Sequence, residues 1–216
     1  ERIEKHSQWG DVFKRLMRDK LAVVGLVIVI FLILVAVFAN FLAPYDYTVQ
    51  DIANRLAWPS KEHLLGTDNF GRDLLSRIIY GARTSLLVAL ISLVISTVIG
   101  VILGAFAGYF GGWVETLIMR LTDILMAIPQ ILMAVSIQAA LGTGTFNTAL
   151  AISISGIPMG VRILRAQILS IRDQEYVEAA IATGSGSMRV LFHQIMPNCL
   201  APLIVDISLR VGMAIM

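Results

Sequence analysis

Long uncharged apolar stretches alternate with short polar stretches along this chain. The first of them, Leu21 to Leu42, has about the length that a helix needs to cross a hydrocarbon core of roughly 30 Å. A second runs from Ser85 to Gly108, and three further apolar stretches begin near Glu115, Phe146 and Asn198. The pattern therefore predicts an all-α, polytopic bundle with five transmembrane helices.

Glycines and prolines add detail to these spans. Three glycines at four-residue spacing predict a smooth packing face on the second span: Gly100, Gly104 and Gly108. Pro129 predicts a kink in the third span. Pro158, which has a glycine two residues to either side, predicts an interruption of the fourth. Broken helices are tolerated in a membrane where neighbours or a water-filled cavity satisfy the freed backbone, so this span is predicted to line a pathway.

The distribution of basic residues predicts the orientation. Six of them precede the first span: Arg2, Lys5, Lys14, Arg15, Arg18 and Lys20. The positive-inside rule then places residues 1–20 in the cytoplasm. Residues 21–216 form the predicted transmembrane domain, with an external loop at 43–83 and a cytoplasmic loop at 169–198. Four spans lie before that second loop, so it returns to the side of the N-terminus.

Composition agrees with a membrane protein. Hydrophobic residues make up 57% of the chain and charged residues 15%, with a mean hydropathy of +0.79, whereas a soluble domain is about 25% charged. The single cysteine, Cys199, excludes an internal disulfide framework and is predicted to be a small packing residue. The three histidines are far apart in the sequence, and no metal site is predicted.

One long polar segment interrupts the second half of the chain. Residues 175–197 read EYVEAAIATGSGSMRVLFHQIMP and lie between two predicted spans. They predict a first helix that Asp173 caps and Gly184 ends, because glycine readily adopts the left-handed conformation at a helix C-terminus. A second helix is predicted to reach Met196, with a break at Pro197.

This segment resembles the EAA signature of the permease subunits of bacterial ABC importers. Ala179 and Ala180 would let a partner backbone approach closely, and Glu178 would offer one charge to it. The resemblance implies that these three residues, with Gly184, Met196 and Pro197, couple the chain to an ATP-binding subunit. An ordinary amphipathic loop helix is the alternative interpretation.

A second motif lies in the predicted external loop. Residues 65–77 read LGTDNFGRDLLSR, and GARTSL follows at 81–86. This pattern resembles the C-type permease of the dipeptide, oligopeptide and nickel class of ABC importers. The motif residues are Gly66, Thr67, Asp68, Gly71, Arg72, Asp73, Arg77, Gly81 and Arg83. We favour a structural role, in which the glycines supply turns and the charged residues tie the loop together, over contact with substrate.

Charged residues inside the predicted spans give a further candidate site. Asp206 and Arg210 are four residues apart, on one face of the fifth span. Charges inside a membrane helix indicate a functional site by default. With Pro158, they are candidate pathway residues. The charged pair would contact the charged ends of a peptide, but we favour the alternative, a structural pair at a subunit contact. A second pair, Arg120 with Asp123, is predicted near the start of the third span.

The resemblance also implies the wider assembly. Permeases of this family have a type I fold with six spans, so a sixth helix is expected beyond the end of this sequence. The chain has no Gly-x-x-x-x-Gly-Lys-Ser/Thr loop, so we expect no enzyme activity and no cofactor on it, with ATP and Mg²⁺ on partner subunits. The implied partners are a second, homologous permease, two ATP-binding subunits and an extracytoplasmic binding protein.

The predicted function is therefore peptide import across a bacterial inner membrane. A nickel or metal-chelate importer of the same family is one alternative. A secondary transporter driven by an ion gradient is an alternative of another class, for which Asp206 and Arg210 would be the only candidate ionisable groups near the midplane.

Overall fold

The computed structural model describes the backbone of residues 17–215 and the side chains of residues 17–212. Within that range the chain is helical and contains no β-strand, only an isolated bridge between Thr67 and Asp73. The helices are α1 Lys20–Val37, α2 Ala39–Leu42, α3 Leu74–Phe110, α4 Gly112–Met126, α5 Gln130–Leu141, α6 Thr145–Ile171, α7 Glu175–Ala182, α8 Ser187–Arg189 and α9 Met196–Ile215. The prediction of an all-α fold is confirmed.

Within the described residues, four helical stretches are long and apolar enough to cross a membrane: α1, α3, α6 and the stretch Ser187–Gly212. The count is five if α4 and α5 together form one broken span. These two helices meet at 87°, at the position where Pro129 predicted a kink. The bend is a full break because a proline also disfavours helical geometry in the residue before it, here Ile128.

Two predicted interruptions are wrong. The helix α6 is continuous over 27 residues with Pro158 inside it. Pro158 is fully buried, and surrounding helices can support a proline within a membrane helix. Pro197 likewise lies in the first turn of α9. It follows a π-helical turn, Val190–Ile195, in which hydrogen bonds join residues five apart. The amide of Met196 donates to the Leu191 carbonyl in this way. The π-helical turn therefore accommodates the N–H group that Pro197 lacks.

The second predicted span begins earlier than expected. The helix α3 starts at Leu74 and runs without a break to Phe110. Gly81, which was predicted to supply a turn, lies inside this helix, and its φ is not positive. A single glycine costs a helix only about 1 kcal/mol, too little to end one that is long and apolar.

The chain divides into two compact units, which meet between Leu86 and Leu87 along α3. In the first unit, the side chain of Asn40 in α2 is bonded to two residues near the start of α3. Its Oδ1 accepts hydrogen bonds of 3.1 Å from the Tyr80 hydroxyl and from Arg83 Nη1. The motif residue Arg83 therefore connects two helices of this unit.

In the second unit, the glycine face predicted for the second span packs against α6. A Cβ built on Gly100 would lie 3.3 Å from the Cα of Gly160, and one on Gly104 would lie 2.9 Å from the Val161 carbonyl oxygen. Gly108 similarly packs against Ile168. Small residues let these two backbones approach each other closely, as the spacing predicted.

Candidate functional site

The EAA segment, residues 174–197, consists of α7, a glycine-containing turn, α8 and the π-helical turn. Gln174, not the predicted Asp173, occupies the N-cap position of α7, and its side chain makes no capping bond. Gly184 ends the helix with φ +83°, as predicted. The amide of Ser185 donates to the Ala180 carbonyl and that of Gly184 to the Ile181 carbonyl, which is the bonding pattern of a Schellman motif.

One face of α7 is anchored in the core of the second unit. Val177 is completely buried and belongs to a hydrophobic cluster. The other members of that cluster are Ala105, Leu164, Ile168, Val190, Leu191, Ile195 and Cys199. Cys199 is thus the small packing residue that its isolation in the sequence predicted. The Tyr176 hydroxyl also accepts a hydrogen bond of 3.0 Å from Asn198 of α9, so α7 is tied to the helix that follows it.

The opposite face of α7 is open. Glu178 and Ala179 are exposed, and Glu178 forms no ion pair within residues 17–212. Ala180 is half-buried and packs, like Met196, against the chain's own core. Gly184 and Pro197 are exposed. A charged group and a small residue therefore face outwards from a helix whose other side is fixed.

Ion pairs connect α4 to α6. Arg162 donates to Asp123 at 2.6 Å, and Arg165 donates to Glu115. The predicted pair of Arg120 with Asp123 is not formed, because Asp123 is bonded to Arg162 instead. The partners are 39 and 50 residues apart, so spacing within one helix could not have revealed them.

Arg172 joins the C-terminal end of α3 to the start of the EAA segment. Its Nη1 donates to the Gly108 carbonyl at 3.2 Å, and its Nε donates to Asp173 at 3.2 Å. A cation suits this position because the last carbonyls of a helix carry partial negative charge. Arg172 and Gly108 are 64 residues apart, so local sequence pattern could not have revealed this bond.

The second candidate site is the charged pair in α9. Asp206 and Arg210 form the predicted ion pair, and their side chains are only 14% and 17% exposed. The guanidinium of Arg210 lies against α6, where a Cβ on Gly160 would be 3.1 Å from both Nη1 and Nη2. Because Gly160, two residues after the predicted Pro158, has no side chain, it leaves a notch in the surface of α6 in which the guanidinium of Arg210 lies.

The external-loop motif forms a hydrogen-bonded network in the first unit. Asp68 accepts bonds from the Phe70 amide at 2.8 Å, the Arg72 amide at 3.0 Å, Arg72 Nε at 2.8 Å and the guanidinium of Arg77. Burial raises the pKa of Asp68, but these bonds outweigh it and hold the pKa below the ordinary value of 3.8. The charge of Asp68 is therefore paired with Arg72 and Arg77 of the same motif.

Asp73 organises the start of α3 in the same way. It accepts bonds of 2.8 Å from the amide and hydroxyl of Ser76 and lies 3.0 Å from Nδ1 of His63. Burial raises the pKa of Asp73, and the bonds from Ser76 and His63 lower it by more. Tyr45 donates its amide to Ser76 at 3.1 Å, so the network extends to the beginning of the loop.

Two glycines and a threonine complete the loop. Gly66 and Gly71 have φ of +77° and +72°, and a Cβ on Gly71 would lie 1.7 Å from the Asp51 carbonyl oxygen. These positions therefore require glycine. The hydroxyl of Thr67 donates to the Asn54 carbonyl and accepts the Ala57 amide at 2.9 Å. The side chains of Thr67, Asp68 and Asp73 are thus all hydrogen-bonded within the loop or to the start of α3.

Comparison with known proteins gives the family. Residues 100–216 match the binding-protein-dependent transport system inner membrane components, and residues 7–59 match the N-terminal transmembrane domain of oligopeptide transport permease C. The two matches include α4, α6 and the entire EAA segment.

Individual relatives agree with these matches. The chain is 44% identical over 210 residues to the dipeptide transport system permease protein DppC of Alkalihalophilus pseudofirmus, covering 97% of this chain and 69% of the relative. It is 50% identical over 205 residues to DppC of Escherichia coli K12, covering 92% and 68%. For the oligopeptide transport system permease protein OppC of Bacillus subtilis the identity is 39% over 217 residues, covering 100% and 71%. The chain therefore belongs to the family of binding-protein-dependent transport system inner membrane components, as a C-type permease subunit of an ABC importer.

Proposed function

We propose that this chain forms half of the translocation pathway of an ATP-driven peptide importer and that the EAA segment couples it to an ATP-binding subunit. Relatives with 39% to 50% identity are named as permeases for dipeptides or oligopeptides, which supports peptides over nickel or a metal chelate. Family membership also decides against a secondary transporter driven by an ion gradient.

The partners follow from the same proposal. The chain would assemble with a second, homologous permease, two ATP-binding subunits and an extracytoplasmic binding protein. ATP and Mg²⁺ would bind to the ATP-binding subunits, since the sequence of this chain has no phosphate-binding loop. The N-terminus and the EAA segment would both lie in the cytoplasm, where ATP is available.

The proposed coupling role rests on the difference in burial between the two sides of α7. Val177 is fully buried on one side of the helix, and Glu178 with Ala179 is exposed on the other. A force applied to the exposed face would reach α3, α6 and α9 directly, because the cluster around Val177 contains residues of all three helices. Alternating access would then follow from movement of packed helices about this anchor.

The test reverses the exposed charge. Glu178→Arg should abolish most peptide uptake by the assembled importer, because a cation would replace the carboxylate that meets the donors of the ATP-binding subunit. Uptake into proteoliposomes and ATP hydrolysis are measured on the same preparation. The variant should hydrolyse ATP with little transport, or lose the ATP-binding subunits on purification.

Glu175→Arg is the matched control. Glu175 lies on the same helix, is also exposed and would undergo the same change of charge. Unchanged coupled uptake in Glu178→Arg, or an equal loss in both variants, would contradict a specific docking role for Glu178.

A further inference from the structure

The ion pair in α9 lies on the face of the helix that packs inwards. Cys199 and Leu203 are buried, Asp206 and Arg210 are mostly buried, and they follow one another at intervals of three or four residues. Ile204 and Leu209, on other faces, are more than half exposed. The two charges therefore face α6 rather than the lipid, as expected for charged residues with a function.

The hydrogen bonding of this pair is incomplete. Asp206 accepts from Nη2 of Arg210, whereas Nε and Nη1 of Arg210 are buried and have no hydrogen-bond partner within the described part of the chain. A buried donor of a charged group without a partner is costly. A pair whose role was only structural would be expected to satisfy these donors, so the arrangement points to an acceptor outside the described residues.

The notch at Gly160 holds the guanidinium in place. Nη1 and Nη2 both lie 3.1 Å from the position of a Cβ on Gly160, so a methyl group there would push the guanidinium away by a few tenths of an ångström and a larger side chain would push it further. Gly156, one turn earlier on α6, faces Ser96 at an ordinary 3.7 Å. Asp206 and Gly160 together fix Arg210 from two sides while leaving two of its nitrogens free.

We propose that Arg210, oriented by Asp206 against Gly160, binds a carboxylate group of the transported peptide, which rests on the proposed function. A guanidinium presents a planar set of donors that matches a carboxylate better than any other side chain does. Every peptide with a free C-terminus supplies this group. Asp206 compensates the charge of Arg210 when no peptide is present and keeps the site weak enough to release its ligand, as a transport pathway requires.

The test compares a dipeptide with its C-terminal amide. The affinity of the binding protein for each compound is measured first. Each compound is then supplied to the complete importer in proteoliposomes at a concentration that saturates the binding protein. The ratio of the two initial uptake rates then reports discrimination within the membrane subunits. The Asp206→Asn, Arg210→Gln double variant removes both charges together, and the ratio of acid to amide should fall about tenfold or more.

A second variant leaves all charged residues in place. Gly160→Ala adds a methyl group where the guanidinium lies and should also lower the ratio, whereas Gly156→Ala is the matched control and should retain the wild-type ratio. Gly160→Ala decides the question if the double variant fails to co-purify with its partner subunits. An unchanged ratio in Gly160→Ala would overturn the proposal and leave the free donors to an acceptor of the protein itself outside the described residues, or to one of a partner subunit.

These outcomes are distinct from a failure of the proposed function. If the wild-type importer showed no ATP-dependent uptake of either peptide, peptide import itself would be wrong. If it transported the acid and the amide equally, with ATP, peptide import would stand and the carboxylate site would be excluded.

Discussion

At the scale of single residues, Asp68 makes the stability of the external loop depend on pH. Its pKa is lowered in the folded protein because the hydrogen bonds from Arg72, Phe70 and Arg77 together outweigh the effect of burial. A carboxylate with a lowered folded pKa stabilises the fold above its unfolded pKa, near 3.8, and this contribution is lost as the pH falls towards the lower, folded value. The loop should therefore be held firmly from neutral pH down to about pH 4 and weaken below it.

Asp68→Asn tests this dependence. At pH 7 the variant should melt at a lower temperature than the wild type, because Arg72 and Arg77 lose their carboxylate partner. The difference between the two melting temperatures should shrink below pH 4, where the carboxyl group of Asp68 is protonated in the unfolded wild type but still ionised in the folded protein. Thermal unfolding of the purified proteins in the same detergent, followed from pH 7 to pH 3, measures it. A difference that stays constant with pH would show that the charge of Asp68 contributes little.

At the scale of elements, close packing of α3 on α6 depends on Gly104. A Cβ at this position would lie 2.9 Å from the Val161 carbonyl oxygen and 3.0 Å from the Cβ of Leu164. These are backbone or near-backbone atoms, so the helices would have to move apart. Gly104→Ala should therefore lower the free energy of unfolding by about 1–3 kcal/mol.

Gly25→Ala is the control for this prediction. A Cβ on Gly25, inside α1, would meet nothing within 4 Å, so the substitution should be neutral or slightly stabilising through helix propensity. Melting temperatures of the two variants and the wild type give the comparison. Equal stability of Gly104→Ala and the wild type would mean that α3 and α6 can separate without cost.

The sequence predicted those elements that depend on local pattern. The uncharged run before Leu42, the smooth glycine face, the helix end at Gly184 and the four-residue pairing of Asp206 with Arg210 follow from periodicity and from backbone preferences. Each of these features is decided by residues close together in the chain.

What the sequence could not predict depends on distant neighbours. Pro158 was expected to interrupt α6, but it is fully buried and its helix continues, which depends on the packing of other helices around it. The sequence predicts an ion pair between Asp123 and the nearby Arg120, whereas in the structure Asp123 is bonded to Arg162, 39 residues away. The notch at Gly160 was missed for the same reason, although its glycine-rich surroundings were the signal that could have indicated a close approach.

At the scale of the whole molecule, the side of the membrane that the EAA segment occupies depends on the bent pair α4–α5. If this pair crosses the membrane as one broken span, four crossings precede the EAA segment and it lies on the same side as the N-terminus. If instead both helices enter and leave on one side, only three crossings precede it. The bent pair, with its 87° angle, is therefore the element whose path through the membrane decides the side of the EAA segment.

We expect the bent pair to cross, because coupling to cytoplasmic ATP requires the EAA segment to be inside. Single cysteines at three exposed positions, Lys61, Thr143 and Met188, are introduced into a Cys199→Ala background. In intact cells a membrane-impermeant thiol reagent should label the first two, which lie in the external loop and between α5 and α6. Met188→Cys, in α8, should be labelled only after the membrane is opened.

The Thr143 and Met188 positions change sides together in the alternative arrangement, whereas Lys61 does not. Labelling of Met188→Cys from outside, with Thr143→Cys protected, would therefore show that α4 and α5 form a re-entrant hairpin. It would also remove the EAA segment from the reach of an ATP-binding subunit and contradict the coupling role of Glu178. Because Lys61→Cys precedes the bent pair in the chain, its labelling from outside in the same cells verifies the orientation of α1 independently of that result.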